Sequence, residues 1–218
     1  QKVISSEISA KEIITPAKII INNQNDNTGI LIQSSDTDSG TTITNSGSAT
    51  ITGSIVAQGN ATHYTTKKKF GTSSIYLNGT DHSTVEIPAD DSFTFGQGAF
   101  TIEAWINWDV LEDTSNNSPY INTIAYSGPG PTGDSDWSDW GGSGAAGSSS
   151  GWQLVMYTEN ALDRLAFGWN GHHFKSMAWD FPSRAINTWY HVAIVRTALG
   201  SSGYKAFVNG TEITTVAY

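Results

Sequence analysis

The stretch FTIEAWINW, residues 100–108, decides the fold class of this chain. Its even positions carry only apolar residues, whereas three of its four odd positions carry the polar residues Thr101, Glu103 and Asn107. Because successive side chains of a β-strand point to opposite faces, this period of two predicts a strand with one buried face. The chain shows no convincing long helix to compete with that interpretation.

Further short strands are predicted on both sides of this stretch. They cover residues 75–77, 85–87, 120–126, 152–158, 165–169, 174–179, 189–197 and 204–209. Asn-Gly pairs at 78–79 and 209–210 favour tight hairpin turns, because Asn and Gly tolerate the positive φ angles that such turns need. We therefore expect residues 204–209 to pair with residues 211–216, and residues 67–218 to form an all-β, antiparallel two-sheet sandwich.

Residues 1–66 differ from the rest in composition, since they contain no Trp or Phe and a single Tyr. Short β-branched runs recur at residues 18–21, 29–32, 41–44 and 49–56, at the spacing of roughly 8 to 12 residues that is typical of consecutive strands. So few apolar side chains cannot enclose a core alone. We expect an extended, repeat-like β-rich shaft or anchor that leans on other chains, with a disordered linker as the alternative.

Three consecutive lysines, at positions 67–69, mark the junction between the two segments. We interpret them as a solvated strand end rather than a polyanion site.

Composition excludes several classes of partner. The 218 residues include 11 basic and 20 acidic ones, so the net charge of −9 repels nucleic acid backbones. No run approaches the roughly 20 apolar residues of a transmembrane helix, and the start lacks a signal-peptide pattern, so we expect no membrane partner. The absence of cysteine excludes disulfides and thiolate metal sites.

Several blocks of sequence resemble the laminin-G-like branch of the concanavalin A-like lectin/glucanase superfamily. They are SIYLNG (74–79), VEIP (85–88), FTIEAWI (100–106), NTWYHVAIVR (187–196) and YKAFVNG (204–210). The resemblance covers most of residues 70–218 and implies a jelly roll of two curved antiparallel sheets. Members close with a strand of the form FxGxIDDxR, which this sequence lacks up to Tyr218. We expect the chain to continue in a longer product; the alternative is that a strand from residues 1–66, or from another chain, takes that place.

The resemblance also bears on catalysis. Glycosidases of this superfamily carry the pattern ExDxxE, because a retaining mechanism needs two carboxylates about 5 to 5.5 Å apart. Glu103 stands alone on its predicted strand, with no second carboxylate two or four positions away. We therefore expect a protein that is not an enzyme.

The long polar segment at residues 127–151 carries the first candidate site. Asp134, Asp136 and Asp139 offer oxygen ligands to Ca²⁺, an ion that some relatives bind, while Trp137 and Trp140 offer rings for sugar stacking. The alternative, which we weigh equally, is that both Trp rings cover the sandwich or pack on a neighbouring subunit.

A second aromatic group contains Trp169, His173 and Trp179. A position in the core is the simpler explanation for these residues, but we keep Trp169 and His173 as candidate glycan contacts. For His191 we expect a partly buried, hydrogen-bonded side chain rather than a catalytic one.

These features favour a virion structural protein, namely a bacteriophage tail fibre or capsid-decorating fibre with a lectin-like head. The expected partners are other copies of the chain, as a trimer for example, other virion proteins and a surface polysaccharide. The alternative is a secreted, extracellular bacterial adhesin module that binds carbohydrate.

Overall fold

A computed structural model of the chain describes residues 3–5, 13–15, 19–23, 30–34, 39–79, 83–90, 93, 95–111, 120–127, 152–159, 161–169 and 177–216. Its strands are β1 (Val3–Ser5), β2 (Ile13–Thr15), β3 (Ile19–Asn23), β4 (Ile30–Gln33), β5 (Thr44–Asn45), β6 (Val56–Gln58), β7 (Thr62–Tyr64), β8 (Ser74–Leu77), β9 (Thr84–Ile87), β10 (Phe100–Trp108), β11 (Tyr120–Ser127), β12 (Trp152–Glu159), β13 (Leu162–Trp169), β14 (Met177–Asp180), β15 (Trp189–Arg196), β16 (Tyr204–Val208), β17 (Thr211–Glu212) and β18 (Thr215–Val216). A short 3₁₀ helix, Ser201–Gly203, precedes β16. Within these ranges, no helix has the length and apolar character needed to cross a membrane.

The strands form two antiparallel sheets that pack as a jelly-roll sandwich, which confirms the predicted fold class. One sheet has eight strands in the order β18-β14-β13-β12-β11-β1-β9-β6. The other has ten strands along the path β17-β16-β15-β10-β2-β8-β7, with β3, β4 and β5 attached beside β10.

The alternation in β10 has the predicted consequence for the core. Its even positions are all buried: Phe100, Ile102, Ala104, Ile106 and Trp108. They pack in one apolar core with inward-facing side chains of the eight-stranded sheet, such as Leu154 and Phe167. Because full burial of each large apolar side chain contributes about 1.5–3 kcal/mol, this interlayer core is what holds the sheets together.

The turn at residues 209–210 forms as predicted, since Asn209 and Gly210 have φ angles of 50° and 80°. The hairpin after it is shorter than expected, since only two of the six residues 211–216 pair with β16. Thr211 and Glu212 pair with β16, but β18 lies beside β14 in the opposite sheet. The predicted pairing of residues 211–216 with β16 along their whole length is therefore wrong. The exposed edge of β14 offers unpaired backbone groups, and the strand crosses over to satisfy them.

Strands from the first 66 residues lie inside both sheets. β1 pairs with β9 on one side and β11 on the other, while β2 lies between β8 and β10. β3 runs along the same edge of β10 as β2 and pairs with it over five positions. The change of composition at residue 66 therefore does not coincide with a break in the sheets. That residues 1–66 also contact other chains stays a prediction.

Candidate functional site

The outward face of the ten-stranded sheet carries a group of aromatic and charged side chains. On β10 the alternation that buries the even positions turns Glu103 and Trp105 outward. His191 on β15 lies directly opposite Trp105, and the two ring centroids are 5.2 Å apart. His191 Nε2 is 3.2 Å from Glu103 Oε2. Glu103, Trp105 and His191 thus form one contiguous patch on this face.

The turn between β7 and β8 is anchored on the same face by Lys67. Its ammonium group forms an ion pair with Asp109, which follows β10, and donates to the side-chain oxygen of Asn187. Residues 67–70 are thereby held against the sheet. The lysine run is consequently not a solvated strand end at Lys67, and that interpretation is wrong for this residue.

Lys69 and Phe70 lie over Trp105 as a result. Lys69 Nζ is 4.4 Å from the centroid of the Trp105 indole, within cation–π range. Phe70 meets Trp105 edge to face, with ring centroids 5.3 Å apart. Trp105 is half-buried by these contacts, whereas Phe70 remains 51% exposed. We call Lys69, Phe70, Trp105, His191 and Glu103 the outer-face group.

The chemistry of the outer-face group suits binding rather than bond cleavage. Phe70 supplies an exposed apolar ring, Lys69 a cation, and the pair of Glu103 and His191 hydrogen-bonding groups. An apolar surface with a few polar groups around it is the usual composition of a small-ligand site. The group is open to solvent at Phe70, so a ligand can approach it from outside the sandwich.

Among the described residues that pair with Glu103 in the sheet, none supplies the second carboxylate of a retaining glycosidase. The residue opposite Glu103 on β15 is Ala193, and the residue opposite it on β3 is Ile20. Its Oε2 lies 3.2 Å from His191 Nε2, within hydrogen-bond distance. A single carboxylate cannot act as both nucleophile and general acid.

No metal centre is found in the part of the chain that the structure describes, where no three His, Asp or Glu side chains converge.

A second cluster, buried between β4, β7 and β8, brings a serine to a histidine. Ser34 Oγ is 2.5 Å from His63 Nδ1 and 2.7 Å from Ser73 Oγ. His63 Nε2 lies 2.8 Å from the carbonyl oxygen of Thr42, so Nε2 donates there and Nδ1 accepts from the Ser34 hydroxyl. The three side chains are at most 3% exposed. A substrate therefore has no access, and we interpret the cluster as a structural hydrogen-bond chain.

A third cluster connects the two sheets through Arg184. Its guanidinium donates three hydrogen bonds, to Asp163 Oδ1 at 2.8 Å, to Asn122 Oδ1 at 2.9 Å and to Thr158 Oγ1 at 2.5 Å. Asn122 on β11 also accepts from the Trp108 indole of β10 at 3.1 Å. The donors of the guanidinium are directed at groups within the sandwich, so this cluster is structural as well.

The candidate residues named from sequence lie mostly beyond the described ranges. Trp137, Trp140, His173, Asp134, Asp136 and Asp139 fall outside the described residues, so the Ca²⁺ site and these sugar contacts stay predictions. Trp169 belongs to β13, where it lies opposite Trp152 of β12. Trp179 is 1% exposed in the interlayer core, which confirms the core interpretation for that residue. His191 is partly buried and hydrogen-bonded, also as predicted.

Sequence reasoning missed Lys69 and Phe70 as site residues. The signal that was available is Trp105, an aromatic residue among the polar, outward positions of β10. A large aromatic side chain at an outward position is expected to be partly shielded from water by another side chain. Phe70 provides this contact although it lies 35 positions away in sequence.

Residues 80–218 match a family model described as the concanavalin A-like lectin/glucanases superfamily. The match spans well over half of the chain and includes Glu103, Trp105 and His191, whereas Lys69 and Phe70 precede it. No curated protein and no solved structure matches the chain.

Proposed function

The chain belongs to the concanavalin A-like lectin/glucanase superfamily, and on that basis we propose that it is a carbohydrate-binding or adhesive module without catalytic activity. The observation that supports this proposal most directly is the outer-face group. It presents the half-exposed ring of Phe70 beside a cation and a hydrogen-bonding pair. Sugars have an apolar C–H face and a rim of hydroxyl groups, so an aromatic ring flanked by polar groups complements them.

We propose that the module is not catalytic because of the residues that surround Glu103. Its neighbours in register are Ala193 and Ile20, and its Oε2 lies 3.2 Å from His191 Nε2. The name of the superfamily covers both lectins and glucanases. We propose that this chain is one of the binding members because of the residues around Glu103.

We further propose that the module is part of a bacteriophage tail fibre or a capsid-decorating fibre. Three features support this placement: a chain without cysteine, a net charge of −9, and the Ile, Thr, Ser and Gly runs of residues 18–56 that resemble fibre shafts. In such a fibre the module adheres to a surface polysaccharide or cements neighbouring subunits. The competing proposal is a secreted bacterial adhesin module that binds carbohydrate.

Binding is tested on an array of bacterial surface polysaccharides with the unmodified chain and two variants. Phe70→Ala removes the exposed ring of the outer-face group, whereas Leu199→Ala removes a similarly exposed apolar side chain in the turn after β15. We expect specific binding that Phe70→Ala weakens and Leu199→Ala does not. Absence of binding to every polysaccharide, or equal effects of the two variants, would contradict the proposal.

The fibre placement is tested by measuring the mass of the folded chain in solution. A fibre component is expected to form oligomers, whereas a monomer would favour the secreted adhesin instead.

A further inference from the structure

We propose that the outer-face group binds an acidic sugar, with the pyranose ring on Phe70 and the sugar carboxylate on Lys69. This inference rests on the proposed carbohydrate-binding function and names the class of sugar: a uronate or another carboxylated pyranose. Three observations support this inference. They are the aromatic surroundings of Lys69, the position of its ammonium group, and the contact of Glu103 with His191.

The first observation is that, among the described residues, Lys69 contacts aromatic rings rather than a carboxylate. Lys67, Arg164, Arg184 and Lys205 each form an ion pair with an aspartate or a glutamate. Within the described ranges, Lys69 has aromatic rings as its neighbours and no carboxylate at ion-pair distance. In a chain of net charge −9, an exposed cation whose neighbours among the described residues are aromatic rings is available for an anionic ligand.

The second observation is where the ammonium group lies. It is 5.9 Å from the centroid of the exposed Phe70 ring and 4.4 Å from that of Trp105. Because the ammonium group lies this close to the exposed ring, a pyranose stacked on Phe70 brings its exocyclic carboxylate within reach of Lys69. The ammonium group has three N–H donors, and contact with an indole face leaves donors for the ligand.

The third observation concerns Glu103, the carboxylate of the same group, which contacts His191 and is less exposed than Lys69. Its Oε2 is 3.2 Å from His191 Nε2, and the two side chains are only 27% and 24% exposed. Lys69, by contrast, is exposed. The cation is therefore the charge that an incoming sugar meets first.

The experiment compares short homopolymers of galacturonate, glucuronate and mannuronate with their carboxyl-reduced, neutral forms. Binding of the full chain is measured by calorimetry at about 0.15 M salt, where charges more than about 8 Å apart are screened. We expect at least one uronate polymer to bind roughly tenfold more tightly than its neutral form, since a charge-assisted hydrogen bond is lost on reduction.

Two matched variants separate Lys69 from charge in general. Lys69→Met removes the ammonium group and keeps the length of the side chain, and it is expected to abolish the preference for uronate. Lys68→Met changes the net charge by the same amount, but Lys68 donates to the carbonyl oxygen of Thr65 and is expected to leave the preference intact. The thermal unfolding midpoint of each variant confirms that it is folded.

Three other results would contradict the inference that the outer-face group binds an acidic sugar. Equal losses in Lys68→Met and Lys69→Met would overturn the inference, because they indicate general attraction. Binding of the neutral polymers that Phe70→Ala removes, without any preference for uronate, would overturn the inference and leave the proposed function standing. Failure of every acidic and neutral polysaccharide to bind would overturn both.

Discussion

Arg184 and Asp163 form an ion pair in which Nε and Oδ1 are 2.8 Å apart, and their side chains are only 3% and 13% exposed. The backbone N–H of Arg184 also donates to Asp163 Oδ2 at 2.9 Å. The pair thus fixes the segment between β14 and β15 to the beginning of β13. It places the guanidinium where it reaches Asn122 and, through it, the indole of Trp108.

Replacing Arg184 with Met is expected to lower the free energy of unfolding by about 3–5 kcal/mol, because it leaves the carboxylate of Asp163 buried without its charge partner. Urea unfolding measures the change. The control is Lys205→Met, which breaks an ion pair with Glu212 whose side chains are about half exposed. That variant is expected to lose less than about 1 kcal/mol. Similar losses in the two variants would contradict the assigned role of Arg184.

The hydrogen-bond chain through His63 gives a second stability prediction. His63→Leu leaves the Ser34 hydroxyl and the Thr42 carbonyl without their imidazole partner in a buried environment. We expect a loss of about 1–3 kcal/mol in urea unfolding. Ser73→Ala removes only the outer member of the chain, so its expected loss is smaller, about 1 kcal/mol. A His63→Leu variant as stable as the parent would show that these bonds are not needed.

Glu103 gives a prediction on activity. If the protein binds sugars without cleaving them, incubation with the polysaccharides that it binds should release no reducing ends above the level of Glu103→Gln. The measurement is a reducing-end assay over long incubation at high protein concentration. Cleavage by the parent chain that disappears in Glu103→Gln would establish a hydrolase and refute the non-enzymatic proposal.

The position of β3 beside β10 is tested by a disulfide, which the absence of native cysteine makes unambiguous. Asn22 lies opposite Thr101, and directly paired Cα atoms in an antiparallel sheet are about 4.5 or 5.5 Å apart, within disulfide range. We expect Asn22→Cys with Thr101→Cys to form a bond within one chain on oxidation, seen on a non-reducing denaturing gel.

The control pair is Asn22→Cys with Lys205→Cys. Lys205 on β16 lies opposite Val195, which lies opposite Thr101, so the control cysteines are three strand spacings, or about 14 Å, apart. No bond is expected there. If oxidation of the first pair instead links separate chains, the strand is exchanged between copies, as an oligomeric shaft would require. A first pair that stays reduced would contradict the placement of β3.

The sequence was sufficient for features that local rules determine. Alternation in residues 100–108 predicted which side chains of β10 face the core, and the Asn209–Gly210 pair predicted its turn from the φ angles that these residues tolerate. Each of these features depends on neighbours in sequence, so no knowledge of the rest of the chain was required.

Features that depend on partners far along the chain could not be predicted. β18 pairs with β14 at the edge of the other sheet instead of continuing its hairpin. No residue close to Thr215 in sequence indicates that pairing. Phe70 and Trp105 are brought together by the ion pair of Lys67 with Asp109, which closes a long stretch of chain. Composition also suggested a division at residue 66, whereas the pairing of β1 and β2 depends on strands formed much later in the chain.

The central position of β1 has a consequence for how the molecule is made. Ile4 lies between Glu86 and Tyr126, so its two neighbours are contributed by segments synthesised about 80 and 120 residues after it. Pairings of such large sequence separation are slow to form, because the entropy of closing the loop is lost before any contact is gained. On the ribosome, β1 therefore cannot be paired on both of its sides until translation has passed Ser127.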